Sequence, residues 1–130
     1  MNWRWICPSV LYAIHDRQIA EHGGLDGMRD LGAIESALAR PQTLAAYQTL
    51  DAAAIAAAYA FGIIRNHGFA DGNKRTGWIA ARLFLADNGF RLSFDKQDAV
   101  RIMEAVAASE MIEDLLADWL RRQISATSTD

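Results

Sequence analysis

A mostly all-α fold is what the sequence predicts: a compact bundle of about six helices with room for one short extended segment. Three observations carry that expectation. Apolar residues recur at spacings of three and four in several segments, and Gly and Pro divide the chain into pieces of helix length. One stretch, DAAAIAAAYAFGIIRNH from Asp51 to His67, is small or apolar on nearly every face, as the central helix of a bundle should be.

The first helix begins near Pro8-Ser9, where proline suits a first turn, carries Val10, Leu11, Ile14 and Ile19 inward and ends at Gly23-Gly24. Gly27 to Asp30 reads as a turn. Leu31 to Arg40 places Leu31, Ile34, Ala37 and Leu38 at helical spacing and is expected to stop at Pro41, because proline disfavours helical backbone in the residue before it. Residues 42 to 50 are left as either a flap over a functional site or a plain loop. Asp51 is the N-cap candidate for the alanine-rich helix, in which alanine supplies both helix propensity and close approach of neighbours. Residues 67 to 72 break the pattern, and a further helix runs from about Asn73 to Asp87, stopped by Asn88-Gly89. Phe90 to Phe94 is the extended candidate; whether it or the N-terminal segment pairs as a strand is open. Asp95 opens a helix to about Ala108, and a last helix spans roughly Glu110 to Gln123, with Ile112, Leu115, Leu116, Trp119 and Leu120 on one stripe.

At 130 residues the chain fits one domain spanning 1–130, with a polar tail from Ser125 to Asp130 that is expected to fray. A composition of 52% hydrophobic and 22% charged residues supports a buried core and excludes disordered, collagen-like and low-complexity classes. With 13 Lys+Arg against 16 Asp+Glu the net charge is -3, which provides no global field for a nucleic-acid backbone. No predicted helix carries a basic stripe, which weighs against a helix-turn-helix DNA binder. Cys7 is the one cysteine, so no intramolecular disulfide and no cysteine zinc site can form, as suits a cytoplasmic protein. Met1 to Pro8 lacks the pattern of a secretory leader, and the most apolar window, Ala52 to Ile64, falls well short of the roughly 20 residues that span a bilayer. No membrane and no direct nucleic-acid partner is expected.

The chemistry concentrates in His67-Gly68-Phe69-Ala70-Asp71-Gly72-Asn73-Lys74-Arg75, which sets an imidazole, a carboxylate, an amide and two cations around a glycine turn at the mouth of a helix. Helix N-termini present free N–H groups and a positive dipole end, so Lys74 and Arg75 in a first turn are unfavourable unless an anion joins them. Phosphate fits, cradled by backbone N–H groups and cationic side chains, and Gly72 lets the backbone approach it. Asp71 is the candidate Mg²⁺ ligand, because that ion is commonly held by one or two carboxylates plus phosphate oxygens. His67 carries an imidazole that could take a proton from an attacking hydroxyl, which makes phosphoryl or nucleotidyl transfer the implied reaction. Phe69 is expected in the core as the anchor of this loop. The bland alternatives are a capping His67, an ordinary Asp-Gly turn, an Asn73 cap and a solvated Lys74-Arg75 face. None of them explains cations at the wrong end of a helix beside a base and a carboxylate.

Other residues are assigned lesser roles. His15 beside Asp16, and His22, have no metal-ligand companions at suitable spacing and are read as surface or capping groups. Arg82, seven residues after Arg75, either extends a basic wall or lies on the surface. Trp3, Trp5, Trp78 and Trp119 read as core or edge packing, with Trp3-Arg4-Trp5 an alternative contact patch for a partner chain.

At HGFADGNKRTG the chain resembles the Fic/Doc superfamily, and within it the death-on-curing (Doc) toxins of bacterial toxin–antitoxin pairs. IHDRQIAEHGG, GMRDLGAIESALARPQ, AAAYAFGIIRNH and RLFLADNGF extend the likeness over most of the chain to about residue 90. The resemblance implies a small helical Fic/Doc fold, His67 as the base for a protein hydroxyl, Asp71 on Mg²⁺, and Asn73, Lys74 and Arg75 on the phosphates of ATP as cosubstrate. Fic proteins that transfer AMP resemble HPFxDGNGRxxR. Here Gly68 stands for the proline, Lys74 for the glycine that leaves room for part of the triphosphate, and Trp78 for the last arginine. The changes at 74 and 78 resemble Doc, whose family activity is phosphorylation of a Thr on translation elongation factor Tu. A bulky cation at 74 alters which phosphate occupies the anion site, and hence which phosphorus faces the nucleophile. The resemblance further implies a cognate antitoxin whose C-terminal segment folds into a groove beside the site. AMP transfer, and a catalytically silent nucleotide- or partner-binding module, are the alternatives.

Overall fold

Helix α3 (Ala52–Asn66) is the axis of the molecule. In the computed structural model, which describes residues 2–126, Ala52, Ala53, Ile55 to Ala60 and Gly62 to Ile64 are all buried. Its small side chains let α2 (Leu31–Tyr47), α4 (Asn73–Asp87) and α6 (Glu113–Gln123) pack against it together. At the α3–α4 crossing Gly77 leaves no room for more: an added Cβ would stand 2.8 Å from Ile64 Cγ1 and 3.1 Å from the Ala60 carbonyl. Helix α1 (Pro8–His22) lies on α4, and α5 (Lys96–Ala107) touches α3, α4 and α6. Tyr59, Phe84, Leu11, Ile55, Leu116 and Leu120 fill the core between these elements. No helix among the described residues is long and apolar enough to cross a membrane.

Most of the expected boundaries match the structure to within a residue or two. The helix expected to end at Pro41 does not: α2 runs through it to Tyr47, with Pro41 fully buried. A proline inside a helix forfeits one backbone hydrogen bond, and here burial of the ring offsets that loss. Residues 42 to 47 are therefore helix, and Leu44, Gln48 and Leu50 lie beside Arg40, Glu113 and Ala117 at the α6 side, so they form no flap over the 67–75 loop. The last helix starts at Glu113 instead of Glu110; Ala108 caps the end of α5, Ser109 after it adopts a left-handed backbone, and Ile112 occupies the N-cap position of α6.

The extended candidate is β1 (Phe90–Leu92), and its partner is β2 (Ile124–Ala126), antiparallel with Arg91 opposite Ser125. The N-terminal segment pairs with neither. Ser125 and Ala126 thus belong to a strand and not to a frayed tail, while residues 127–130 of that expectation lie outside the described residues. Trp3 and Trp5 pack on Phe84 with ring centroids 5.7 and 6.1 Å away, which is core-edge packing. Trp78 and Trp119 lie 6.0 Å apart.

Three helices start under aspartate caps: the carboxylates of Asp30, Asp51 and Asp95 accept from Ala33, Ala54 and Asp98 N–H respectively. Asp51 also receives Arg121 Nε and Nη2 at 2.6 and 3.0 Å, tying the end of α6 to the start of α3. That hydrogen-bonded guanidinium holds the Asp51 carboxyl below its ordinary range. Asp51→Ala is expected to lower the free energy of unfolding by about 1 kcal/mol in chemical denaturation. Asp51→Asn keeps the cap and should lose less. Because the folded-state value is depressed, the ion pair's contribution is complete above the unfolded-state value of about 3.9 and is lost as pH falls through the folded one. The wild type's advantage over Asp51→Asn should therefore vanish in acid.

Candidate functional site

The segment from His67 to Gly72 leaves α3 and enters α4, and the way it is held decides where its side chains go. His67 is the C-cap of α3, in a left-handed conformation at φ 50, which turns the chain sharply. Gly68 then lies against the start of α2. Its carbonyl accepts from Arg29 and Asp30 N–H at 2.8 and 3.0 Å, and Ala70 N–H donates to the Gly27 carbonyl at 3.0 Å. A Cβ on residue 68 would stand 2.4 Å from Ile34 Cγ1, so only glycine permits this approach. Phe69, as expected, is buried; its ring meets Tyr12 edge-on at 6.3 Å and stacks on His15 at 3.8 Å.

Asn73 closes the loop. Its side-chain oxygen accepts from Phe69 N–H at 3.1 Å and its amide donates to the Phe69 carbonyl at 3.0 Å. The side chain expected on nucleotide phosphates is thus engaged with the loop's own backbone, which leaves the main-chain N–H of residue 73 as its means of reaching a phosphate.

Helix α4 differs from α2, α3 and α5 at its start. Gly72, at φ 77, is the N-cap and offers no side chain, and no acidic residue stands in the first turn. The positive end of the helix therefore faces outward with Lys74 and Arg75 beside it. Both cations are exposed. Lys74 Nζ lies 4.0 Å from Glu104 on α5, a half-exposed contact of little strength, and Arg75 has no ion-pair partner among the described residues.

Asp71 is exposed, with Oδ1 accepting from Gly72 N–H at 3.1 Å and Oδ2 from Leu25 N–H at 3.2 Å. Each oxygen keeps lone-pair capacity for a cation. His67, Asp71, Gly72, Asn73, Lys74 and Arg75 line one cavity of about 400 Å³, and Arg29 and Ala70 are also in its wall. An imidazole, one carboxylate, an uncapped helix start and two cations form a donor set that fits a magnesium-bound phosphate chain. Arg29 was not legible as a lining residue, because it arrives through the pairing of residues 28 and 69 across the fold.

A second cavity, of about 580 Å³, shares Lys74 and Arg75 and continues along α4 to Trp78, Arg82 and Phe94. The Arg82 guanidinium lies over both rings, 5.7 Å from Trp78 and 5.2 Å from Phe94, so it is exposed and at the same time held in place.

His15 departs from its expected place. It is neither a surface group nor a cap: it is 2% exposed, and Nε2 lies 2.8 Å from the Asp71 carbonyl. Folding also supplies the companion that spacing did not reveal, since donor atoms of His15, Asp16 and Asp26 lie within 4.8 Å of one another. His22 stays exposed in the last turn of α1, 3.9 Å from Glu21.

A family model described as Fic/DOC family matches residues 5–85. The chain is 38% identical over 120 residues to the protein kinase doc of Escherichia phage P1, covering 92% of this chain and 94% of that protein. It is 40% identical over 114 residues to the toxin Doc of Mycolicibacterium smegmatis, covering 82% and 85% respectively.

Because the loop is held by a close glycine contact and a closed amide pair, Gly68→Ala is expected to cost of order 1–3 kcal/mol of stability through overpacking on Ile34. Asn73→Ala should cost about 1–2 kcal/mol through its two lost bonds. Urea denaturation of both variants measures this, and wild-type stability in Gly68→Ala would contradict the packing described.

Proposed function

The chain belongs to the Fic/DOC family, and from that premise we propose that it is a Doc-like toxin that transfers the γ-phosphoryl group of ATP to a Thr or Ser hydroxyl of a target protein. The observation that carries this reading is the gathering of His67, Asp71, Lys74 and Arg75 in one cavity at the uncapped start of α4. By family resemblance the target is elongation factor Tu, and the consequence is arrest of translation.

His67, exposed on the wall of the cavity, accepts the proton of the attacking hydroxyl. The hydroxyl oxygen bonds to the γ-phosphorus as the bond from that phosphorus to the ADP oxygen breaks. The main-chain N–H of Asn73 and the Lys74 and Arg75 side chains hold the phosphate oxygens, in line with the positive end of α4. Asp71 would hold magnesium, which when bound offsets charge on the phosphates. Lys74 supports the kinase reading over AMP transfer: its side chain fills space that a glycine would leave to the phosphate chain, so the nucleotide presents its terminal phosphorus to His67.

The same reading includes a cognate antitoxin as partner. A groove of about 790 Å³ runs between α1, α4 and β1, with Ile14, Ile79 and Leu83 along it and Arg17, Arg82 and Arg91 at its sides. An amphipathic, acidic C-terminal helix suits such a surface.

Incubating the chain with a translation extract and ATP labelled at the γ or the α phosphate tests the reaction. Label retained on a protein from γ but not α is expected; α label retained would mean AMP transfer, and nucleotide binding without turnover would mean a silent module. His67→Ala should slow transfer by roughly 10²–10⁴-fold. Lys74→Ala and Arg75→Ala should each raise the KM for ATP roughly tenfold, the equivalent of one lost charge-assisted hydrogen bond.

A further inference from the structure

We propose that His15 is a positioning residue for this site: through its Nε2–H bond to the Asp71 carbonyl it orients the peptide unit from which the Asp71 carboxylate and the Gly72 amide both project. The inference rests on the phosphotransfer reading only for what Asp71 does; the geometry stands by itself. His15 sits on the buried face of α1 with Leu11 and Gln18, 56 residues away from Asp71 in sequence.

A buried imidazole is costly unless its polar atoms are used. Packing alone does not require one here, since the ring lies flat on Phe69 at 3.8 Å and 8°, a contact that a phenyl ring would make without desolvating a nitrogen. What a phenyl lacks is the bond to Asp71. A carbonyl oxygen only accepts, so Nε2 bears a proton and is the donor.

The carbonyl and the N–H of one peptide unit point in opposite directions. With the Asp71 carbonyl turned down onto His15, the Gly72 N–H is turned the other way, where it donates to Asp71 Oδ1 at 3.1 Å. The bond below the loop thereby sets the carboxylate above it. Leu25 N–H completes the arrangement by donating to Oδ2 at 3.2 Å, and the imidazole lies beside Gly72, where an added Cβ would meet Ile19 Cδ1 at 3.3 Å and His15 Cδ2 at 3.6 Å. Should the 71–72 peptide rotate, Asp71 loses its direction and the start of α4 loses the amide next to its first turn.

Two variants separate this role from packing. His15→Phe keeps the stack and removes the donor; His15→Gln loses the stack and places an amide donor at nearly the reach of Nε2. Melting temperatures establish that each is folded. Calorimetric titration of ATP at a series of Mg²⁺ concentrations reads metal-dependent binding, and amide hydrogen exchange reads the loop without any ligand. His15→Phe is expected to need at least tenfold more Mg²⁺ for half-maximal ATP binding and to exchange its residue 70–72 amides at least tenfold faster. His15→Gln is expected within about threefold of wild type in both. Wild-type Mg²⁺ dependence and exchange in His15→Phe, or a His15→Gln variant that is folded yet impaired in both readouts, would overturn the proposal. If the wild type itself shows no Mg²⁺-dependent ATP binding, it is the phosphotransfer reading that fails, and the exchange comparison still decides the role of His15.

Discussion

The first turn of α4 joins the positive end of the helix to Lys74 and Arg75, with no acidic residue in that turn and no side chain capping it. Left to itself this is an unfavourable arrangement, and the loop before it must be held against the tendency to rearrange. The structure does so largely with apolar packing and with hydrogen bonds to the loop's own backbone. Phe69 is driven into the core beside Tyr12 and His15, Gly68 presses on Ile34, and the amide of Asn73 locks the backbone of Phe69. Among the described residues no carboxylate pairs with Arg75, and Glu104 reaches Lys74 only at 4.0 Å, across solvent-exposed side chains. The electrostatic demand stays open for a ligand, while the geometry around it is closed.

That separation of tasks also explains the position of Asp71. A carboxylate pointing at the helix start would cap it and cancel the field. Asp71 is instead engaged from the side by Leu25 and from its own neighbour Gly72, which keeps a negative group close by without spending it on the first turn of α4. One cavity can then present a cation site and an anion site together, as a magnesium-bound phosphate chain requires.

Much of this was legible in the sequence because it is local. The alanine run of α3, the cap at Asp51, the stop at Asn88-Gly89 and the mixed chemistry of residues 67 to 75 are all patterns over short windows, and each appears in the structure where the pattern puts it. What could not be read is what depends on distant partners. Pro41 stays within α2 because its ring is buried, which no local rule weighs. Strand β1 finds its partner at Ile124 to Ala126, whose sequence has no strand period long enough to notice. His15 looked like a surface histidine because its partner lies at Asp71, and Asn73 looked like a phosphate ligand because its partner Phe69 is reached only when the loop closes. Arg82 had no visible reason to be fixed until Trp78 and Phe94 came together beneath it.

The most direct test of the central claim is to titrate Mg²⁺ and ATP into the ¹⁵N-labelled chain and follow its backbone amides by NMR. Saturable shifts centred on Gly72, Asn73, Lys74 and Arg75, larger than those at the starts of α2, α3 and α5, are what this account predicts. Shifts absent from residues 72 to 75, or centred on a different surface, would contradict it.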